Sequence, residues 1–228
     1  LAGLAYMALF GAPRSYLIVN SGALALAALM IFIGLPKLGH RARVIAGAVL
    51  IVLFALPLLT GPSMNGIERW LPLGPFILHA GMLTIPSLAV LAAREERRGP
   101  AALAAALLIA LAQPDFASAF ALIGGAIGIY QVRADWRIGL VVIGGFFVSI
   151  AAALQGELPA VAFVERIVID ALTTSPAMAA VLALSVIASI LLMAFGTGLP
   201  RIARYPIALS LFGFWLASLI SNLSLIHI

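Results

Sequence analysis

The chain is a succession of long, uninterrupted apolar runs, with almost all of its charge gathered into short turns between them. A helix needs about 20 apolar residues to cross a hydrocarbon layer of about 30 Å. Inside that layer every backbone polar group must be satisfied within the protein, which leaves helices and closed barrels. Barrel strands alternate apolar and polar residues, whereas these runs are continuous. Composition points the same way. The chain is 64% hydrophobic and 9% charged with a mean hydropathy of +1.20, against about 45–50% and about 25% in soluble domains. Water-soluble folds and intrinsic disorder are therefore excluded. The 228 residues hold roughly eight spans. The reading is an all-α, polytopic transmembrane helix bundle of about eight spans plus a partial N-terminal span, forming one transmembrane domain over 1–228.

The spans fall near 16–35, 44–60, 76–93, 100–113, 116–131, 138–155, 169–196 and 206–222, after a partial span at 1–11. The stretch 100–131 decides the topology, because it reads either as one long helix or as two helices reversing at Pro114. With two helices, Lys37, Arg41, Arg43, Arg94, Arg97, Arg98, Arg133, Arg137, Arg201 and Arg204 share one face, against Arg14, Arg69 and Arg166 on the other. Ten against three is a strong positive-inside bias, and it is lost if 100–131 is one span. The outer face then holds 11–15, 61–75, the turn at 113–115 and 155–166. Gly124, Gly125, Gly128, Gly144 and Gly145 lie within spans and read as packing notches, where small residues let helices approach.

There is no cysteine, and His40, His79 and His227 match no metal-ligand spacing, so neither metal nor cofactor is expected. The net charge of +5 belongs to loop topology, and nucleic-acid binding is not expected. Leu1 is not an initiator Met and no polar tail follows Ile228, so the chain reads as a fragment of a longer membrane protein. The stretch 224–228 is unlike the helix before it.

Most polar residues outside the basic turns lie at the outer ends of spans. Glu68-Arg69-Trp70 follows a turn-prone segment. It reads either as an interfacial anchor, with Trp70 in the aromatic belt, or as a rigid guanidinium suited to a phosphate or diphosphate headgroup. In Gln113-Pro114-Asp115, proline ends one helix and Asp115 can cap the next, which starts at Phe116. The same residues can instead form a polar recess facing the bundle, where an ionisable group is a functional candidate and Arg69 is its expected partner. His79 reads as a packing residue or as a ligand-binding one. Glu157, Glu165 and Arg166 lie in the last outer loop, with Asp170 a turn further on.

The run from Asn65 to Ile123 resembles the SEDS family (shape, elongation, division and sporulation; RodA/FtsW-like proteins). The matching pieces are Asn65-Gly66 with Arg69-Trp70 and Gly74, then one span, a charged inner turn, a short span, Leu111-Ala112-Gln113-Pro114-Asp115 and a descending helix. Leu158-Pro159 is similar to a later Leu-Pro motif of the family, and the resemblance covers about 61–196. It implies a bacterial inner-membrane, multi-pass protein of peptidoglycan synthesis, in cell shape or cell division. Such a protein handles lipid II, or another polyprenyl-diphosphate-linked precursor, at the outer face among membrane lipids, beside a class B penicillin-binding protein. Arg69, Trp70, His79 and Gln113 are then substrate-binding candidates. Asp115, Glu157 and Glu165 are the candidates for the general base of a glycosyltransferase. Two departures stand out: His79-Ala80-Gly81-Met82 and Ile85 replace the family's Gln-Pro-Ser-Glu and following Lys, and the long outer loop shrinks to about 155–166.

Three functions fit this sequence: a peptidoglycan glycosyltransferase, a non-catalytic precursor-binding or scaffold protein, and a transporter or flippase. Transporters break their helices near mid-membrane and carry inverted repeats. Here the polar break lies towards the outer face, and no second half mirrors the first.

Overall fold

The computed structural model describes residues 1–33, 38–63, 67–74, 76–155, 167–196 and 198–224. Two compact units emerge, one formed by Leu1–Gly39 with Ala160–Ala188, the other by His40–Pro159 with Ser189–Ile228.

In the first unit, α1 (Ala2–Leu9) and α2 (Arg14–Ile33) are joined by a tight turn, and α9 (Ile167–Thr174) leads into α10 (Pro176–Phe195), which is counted in this unit as far as Ala188. A small core gathers Tyr6, Ala171, Ala179 and Leu182, with Tyr6 stacked on Phe10 at 4.7 Å between ring centres. The single span expected over 169–196 is divided here. Ser175 precedes a proline, which disfavours helical backbone at that residue, and Pro176 opens the next helix, where a missing N–H costs nothing.

The second unit carries α3 (His40–Ala55), α4 (Pro57–Thr60), β1 (Trp70–Leu73), β2 (Phe76–His79), α5 (Ala80–Arg94), α6 (Gly99–Ala112), α7 (Phe116–Arg133), α8 (Trp136–Leu154) and α11 (Arg201–Ser224). The antiparallel pair β1–β2, with Trp70 opposite His79 and Leu73 opposite Phe76, is a feature the all-helical reading did not foresee. Among the described residues five helices are long and apolar enough to cross a membrane, and three shorter apolar helices, Arg14–Leu29, Ala80–Arg94 and Gly99–Ala112, accompany them.

The stretch 100–131 is two helices. The Gln113 N–H still donates to the Ile109 carbonyl at 2.9 Å, Pro114 has no donor, and the Asp115 N–H closes the turn onto the Ala110 carbonyl at 2.9 Å. The chain reverses there and descends as α7. At the far end Ala134 takes a left-handed conformation (φ 48°) and Asp135 caps α8 by accepting the Arg137 N–H.

Helices α7 and α11 meet backbone to backbone. A Cβ added at Gly124 falls 2.0 Å from the Leu209 carbonyl oxygen, one at Gly128 falls 2.6 Å from that of Tyr205, and one at Gly213 falls 2.4 Å from that of Phe120. The order of these contacts makes the two helices antiparallel. Gly145 of α8 likewise admits Ile123, while Gly144 faces open space. Phe54 of α3, Ile85 and Leu88 of α5, Leu103 of α6, Leu122 and Ile129 of α7 and Ile138 of α8 form one core.

The basic turns of this unit come together at one end. Arg43 Nε donates to Glu95 at 2.8 Å, and the same carboxylate meets His40. Arg133 pairs with Glu96 at 2.8 Å, and Arg137 donates to the Glu96 carbonyl. Arg204 belongs to the same end, because neighbouring Tyr205 packs on Gly128 near the C-terminus of α7. The reversal at 113–115 and the β-hairpin lie at the opposite end. The charge segregation read from the sequence is thus reproduced within this unit.

Candidate functional site at the reversal between α6 and α7

The polar residues at this end are positioned by two local devices. The hairpin β1–β2 sets Trp70 beside His79, and the Ala80 N–H donates to the Arg69 carbonyl at 3.1 Å, tying the first turn of α5 to the residue before β1. The proline-centred reversal then sets Asp115 at the N-terminus of α7.

Asp115 is fully buried. Its Oδ1 accepts the Ser118 N–H at 3.1 Å, and its Oδ2 accepts the Ser118 hydroxyl. The carboxylate therefore satisfies one of the free N–H groups of α7, as a helix N-cap does. The same Oδ2 lies 3.6 Å from His79 Nε2. His79 Nδ1 accepts the Met82 N–H at 3.3 Å, so the imidazole caps α5 while its other nitrogen faces Asp115. Accepting at Nδ1 requires the proton of a neutral ring to sit on Nε2. One histidine and one aspartate thus cap two helices and face each other.

The walls are aromatic. Trp70 meets the His79 ring edge-on at 5.2 Å, and Phe214 of α11 meets it at 6.0 Å from another direction. The Arg69 guanidinium lies over the Trp70 ring at 5.5 Å, in the range of a cation–π contact. Gly81 is required by this packing: a Cβ there falls 1.9 Å from Ser118 Oγ and 3.2 Å from His79 Cε1.

Gln113 is also fully buried, and it points elsewhere. Its Nε2 donates to the Phe54 carbonyl at 2.7 Å. Phe54 is the penultimate residue of α3, where carbonyls lack a helical partner, so the amide ties α6 to the end of α3. Among the described residues its Oε1 meets no donor, leaving a buried acceptor open.

The structure thus brings Arg69, Trp70, His79 and Asp115 into one neighbourhood and sends Gln113 to α3. Among the described contacts the partners of Asp115 are Ser118 and His79, not Arg69. Glu157 and Glu165, with the loop that carries them, lie outside the described residues, as do Asn65, Gly66 and Leu158-Pro159. Sequence reasoning missed Ser118, Gly81 and Phe214. Ser118 carries a local signal, since it stands three residues after a candidate N-cap aspartate; Phe214, nearly a hundred residues away, carries none.

Fold and segregated charge define a multi-pass helical membrane protein. No family model and no curated protein matches the sequence. Among solved structures, the rod shape determining protein RodA of Thermus thermophilus superposes with a TM-score of 0.63 at 20% identity, covering 99% of this chain and 81% of that one. A point mutant of the same protein gives a TM-score of 0.61 at 21% identity, covering 97% and 79%. The chain has the polytopic helical fold of RodA, in agreement with the resemblance read from 61–196.

Proposed function

We propose that the chain is a SEDS-type protein of the bacterial inner membrane, acting in cell-wall synthesis by binding lipid II, or another polyprenyl-diphosphate-linked precursor, at the face opposite its basic turns. The observation that carries this reading is the RodA fold across 99% of the chain. It is joined by the cluster of Arg69, Trp70, His79 and Asp115 at the end where such a substrate presents its diphosphate. Arg69 supplies a planar cation suited to two phosphate oxygens at once. The aromatic wall of Trp70 and Phe214 supplies an apolar surface beside it. A second reading, polymerisation of glycan strands with a class B penicillin-binding protein as partner, needs a carboxylate free to take a proton from the acceptor hydroxyl. Both oxygens of Asp115 are engaged by Ser118, which favours a positioning role for it, as the cap of α7, over that of the base. In the polymerase reading the base falls to Glu157 or Glu165.

The test uses purified protein and lipid II in two assays, binding and strand formation. Binding that falls about tenfold or more in Arg69→Ala, with unfolding temperature unchanged, is the expected result. Binding equal in wild type and Arg69→Ala overturns the assignment of Arg69. Strands formed by wild type and lost in Glu157→Ala/Glu165→Ala establish the polymerase reading instead.

A further inference from the structure

At the basic end, far from the cluster above, α3, α5 and α6 leave between them a cleft of about 180 Å³. Its walls are apolar, and it exists because small side chains face one another there: Gly47 and Ala48 on α3, Ala92 on α5, Ala102 on α6. Its mouth is different. Arg43, Glu95 and Arg98 line it, Glu95 is held by Arg43 and His40, and Arg98 is exposed. Among the described residues no carboxylate pairs with Arg98. The segments that frame the mouth, 40–43 and 94–98, carry five arginines against two glutamates, and one of those, Glu96, is taken by Arg133. The N-terminus of α6, starting at Gly99, opens on the same mouth and adds the positive end of its dipole.

An apolar slot under a cationic rim, at the end of membrane-crossing helices, matches one kind of molecule by shape and charge. We propose that the cleft holds an acyl chain of an acidic diacyl phospholipid from the leaflet beside the basic turns, with the lipid phosphate at Arg98. The hydrocarbon fills the space between Gly47, Ala92 and Ala102. The phosphate meets the charge that Glu95 leaves uncompensated, and a zwitterionic lipid gains less there because its own cation opposes the arginines. The site is separate from the proposed lipid II site and does not depend on it.

The full chain, solubilised and offered equal amounts of palmitoyl-oleoyl phosphatidylglycerol and phosphatidylcholine, is examined by native mass spectrometry for the lipid it retains. The expected result is phosphatidylglycerol retained in several-fold excess. Arg98→Gln, at an exposed position, reduces that excess about fivefold, the value of one basic residue facing an anionic lipid. Gly47→Phe, where an added Cβ meets nothing within 4 Å, fills the slot and removes the retained lipid without lowering the unfolding temperature. Equal retention of both lipids by the wild type, or retention undiminished in Gly47→Phe, overturns the proposal. So does a wild type that is dimeric and lipid-free while Gly47→Phe is monomeric, which would make the slot a seat for a second copy of the chain.

Discussion

His79 Nε2 lies 3.6 Å from Asp115 Oδ2, with the histidine side chain 8% exposed and the aspartate wholly buried. Each residue also caps a helix, His79 through the Met82 N–H and Asp115 through Ser118. The pair therefore joins the starts of α5 and α7 and holds the polar cluster together. Replacing an N-cap by alanine costs about 0.5–2 kcal/mol, and Asp115→Ala also strips the Ser118 hydroxyl of its acceptor. Asp115→Ala is expected to lower the unfolding temperature clearly, and Asp115→Asn, which keeps one acceptor oxygen, to lower it less. Thermal unfolding in detergent measures both. Equal stability of wild type and Asp115→Ala would show that the cap carries no weight.

The glycines of α7, α8 and α11 divide into those that need the absence of a side chain and those that do not. At Gly124, Gly128 and Gly213 a Cβ would strike the backbone of the facing helix at 2.0–2.6 Å, and backbone cannot swing aside as a side-chain tip can. Gly124→Ala, Gly128→Ala and Gly213→Ala are each expected to destabilise by about 1–3 kcal/mol, the range for overpacking. Gly144→Ala meets nothing within 4 Å and is expected to be neutral or mildly stabilising, since alanine is the better helix former. Denaturant titration of the four variants tests the ordering, which fails if Gly144→Ala is as damaging as Gly124→Ala.

What the sequence made legible follows from how local each signal is. The reversal at Pro114 could be read because a helix stop and a helix start stand next to each other and because the arginines on either side give an independent check. The division of α9 from α10 was equally local, at Ser175-Pro176, but a long apolar run concealed it. The β-hairpin at 70–79 was hidden for a related reason: Phe76-Ile77-Leu78 are apolar and merge with the span read over 76–93, which left Trp70–Leu73 in the outer segment 61–75 with no visible partner strand. The destination of the Gln113 amide was beyond reach, because the Phe54 carbonyl is 59 residues away and is available only because α3 ends there. The same holds for Phe214 against His79. Residue type picked out members of the cluster, whereas their partners depend on helix packing.

Ala134, between α7 and α8, has φ 48° and ψ 33°, with its N–H donated to the Tyr130 carbonyl at 2.7 Å. A left-handed backbone costs an L-residue roughly 1–2 kcal/mol, and glycine is spared that cost while losing about 0.5–1 kcal/mol more in chain entropy. Ala134→Gly is thus expected to stabilise by roughly 0.5–1 kcal/mol, read as a rise in unfolding temperature. Ala134→Val, whose branched side chain fits this conformation poorly, is expected to lower it. A fall with glycine would mean that the turn does not hold this conformation.

The turn between α5 and α6 gives the unit an acid-sensitive joint. The Arg43 hydrogen bond, more than the charge and hydrogen bond of His40, holds the Glu95 carboxyl below its ordinary value of 4.5. The ionised form is favoured in the folded protein, so the contact stabilises the fold at any pH above the unfolded value. As pH falls below that value the unfolded chain takes up a proton more readily, and the stabilisation disappears as pH passes through the lowered folded value. Nothing from this carboxyl is lost between neutral pH and about 5. Unfolding temperatures measured from pH 7 down to pH 3 are expected to fall less steeply at the acid end in Glu95→Gln than in the wild type, because the variant has no proton to take up there. Asp135, held low by its hydrogen bonds from Arg137, adds to the slope in the same direction and remains in both proteins, so the difference between the two curves isolates Glu95. Parallel curves would mean that the Arg43–Glu95 contact does not contribute to stability.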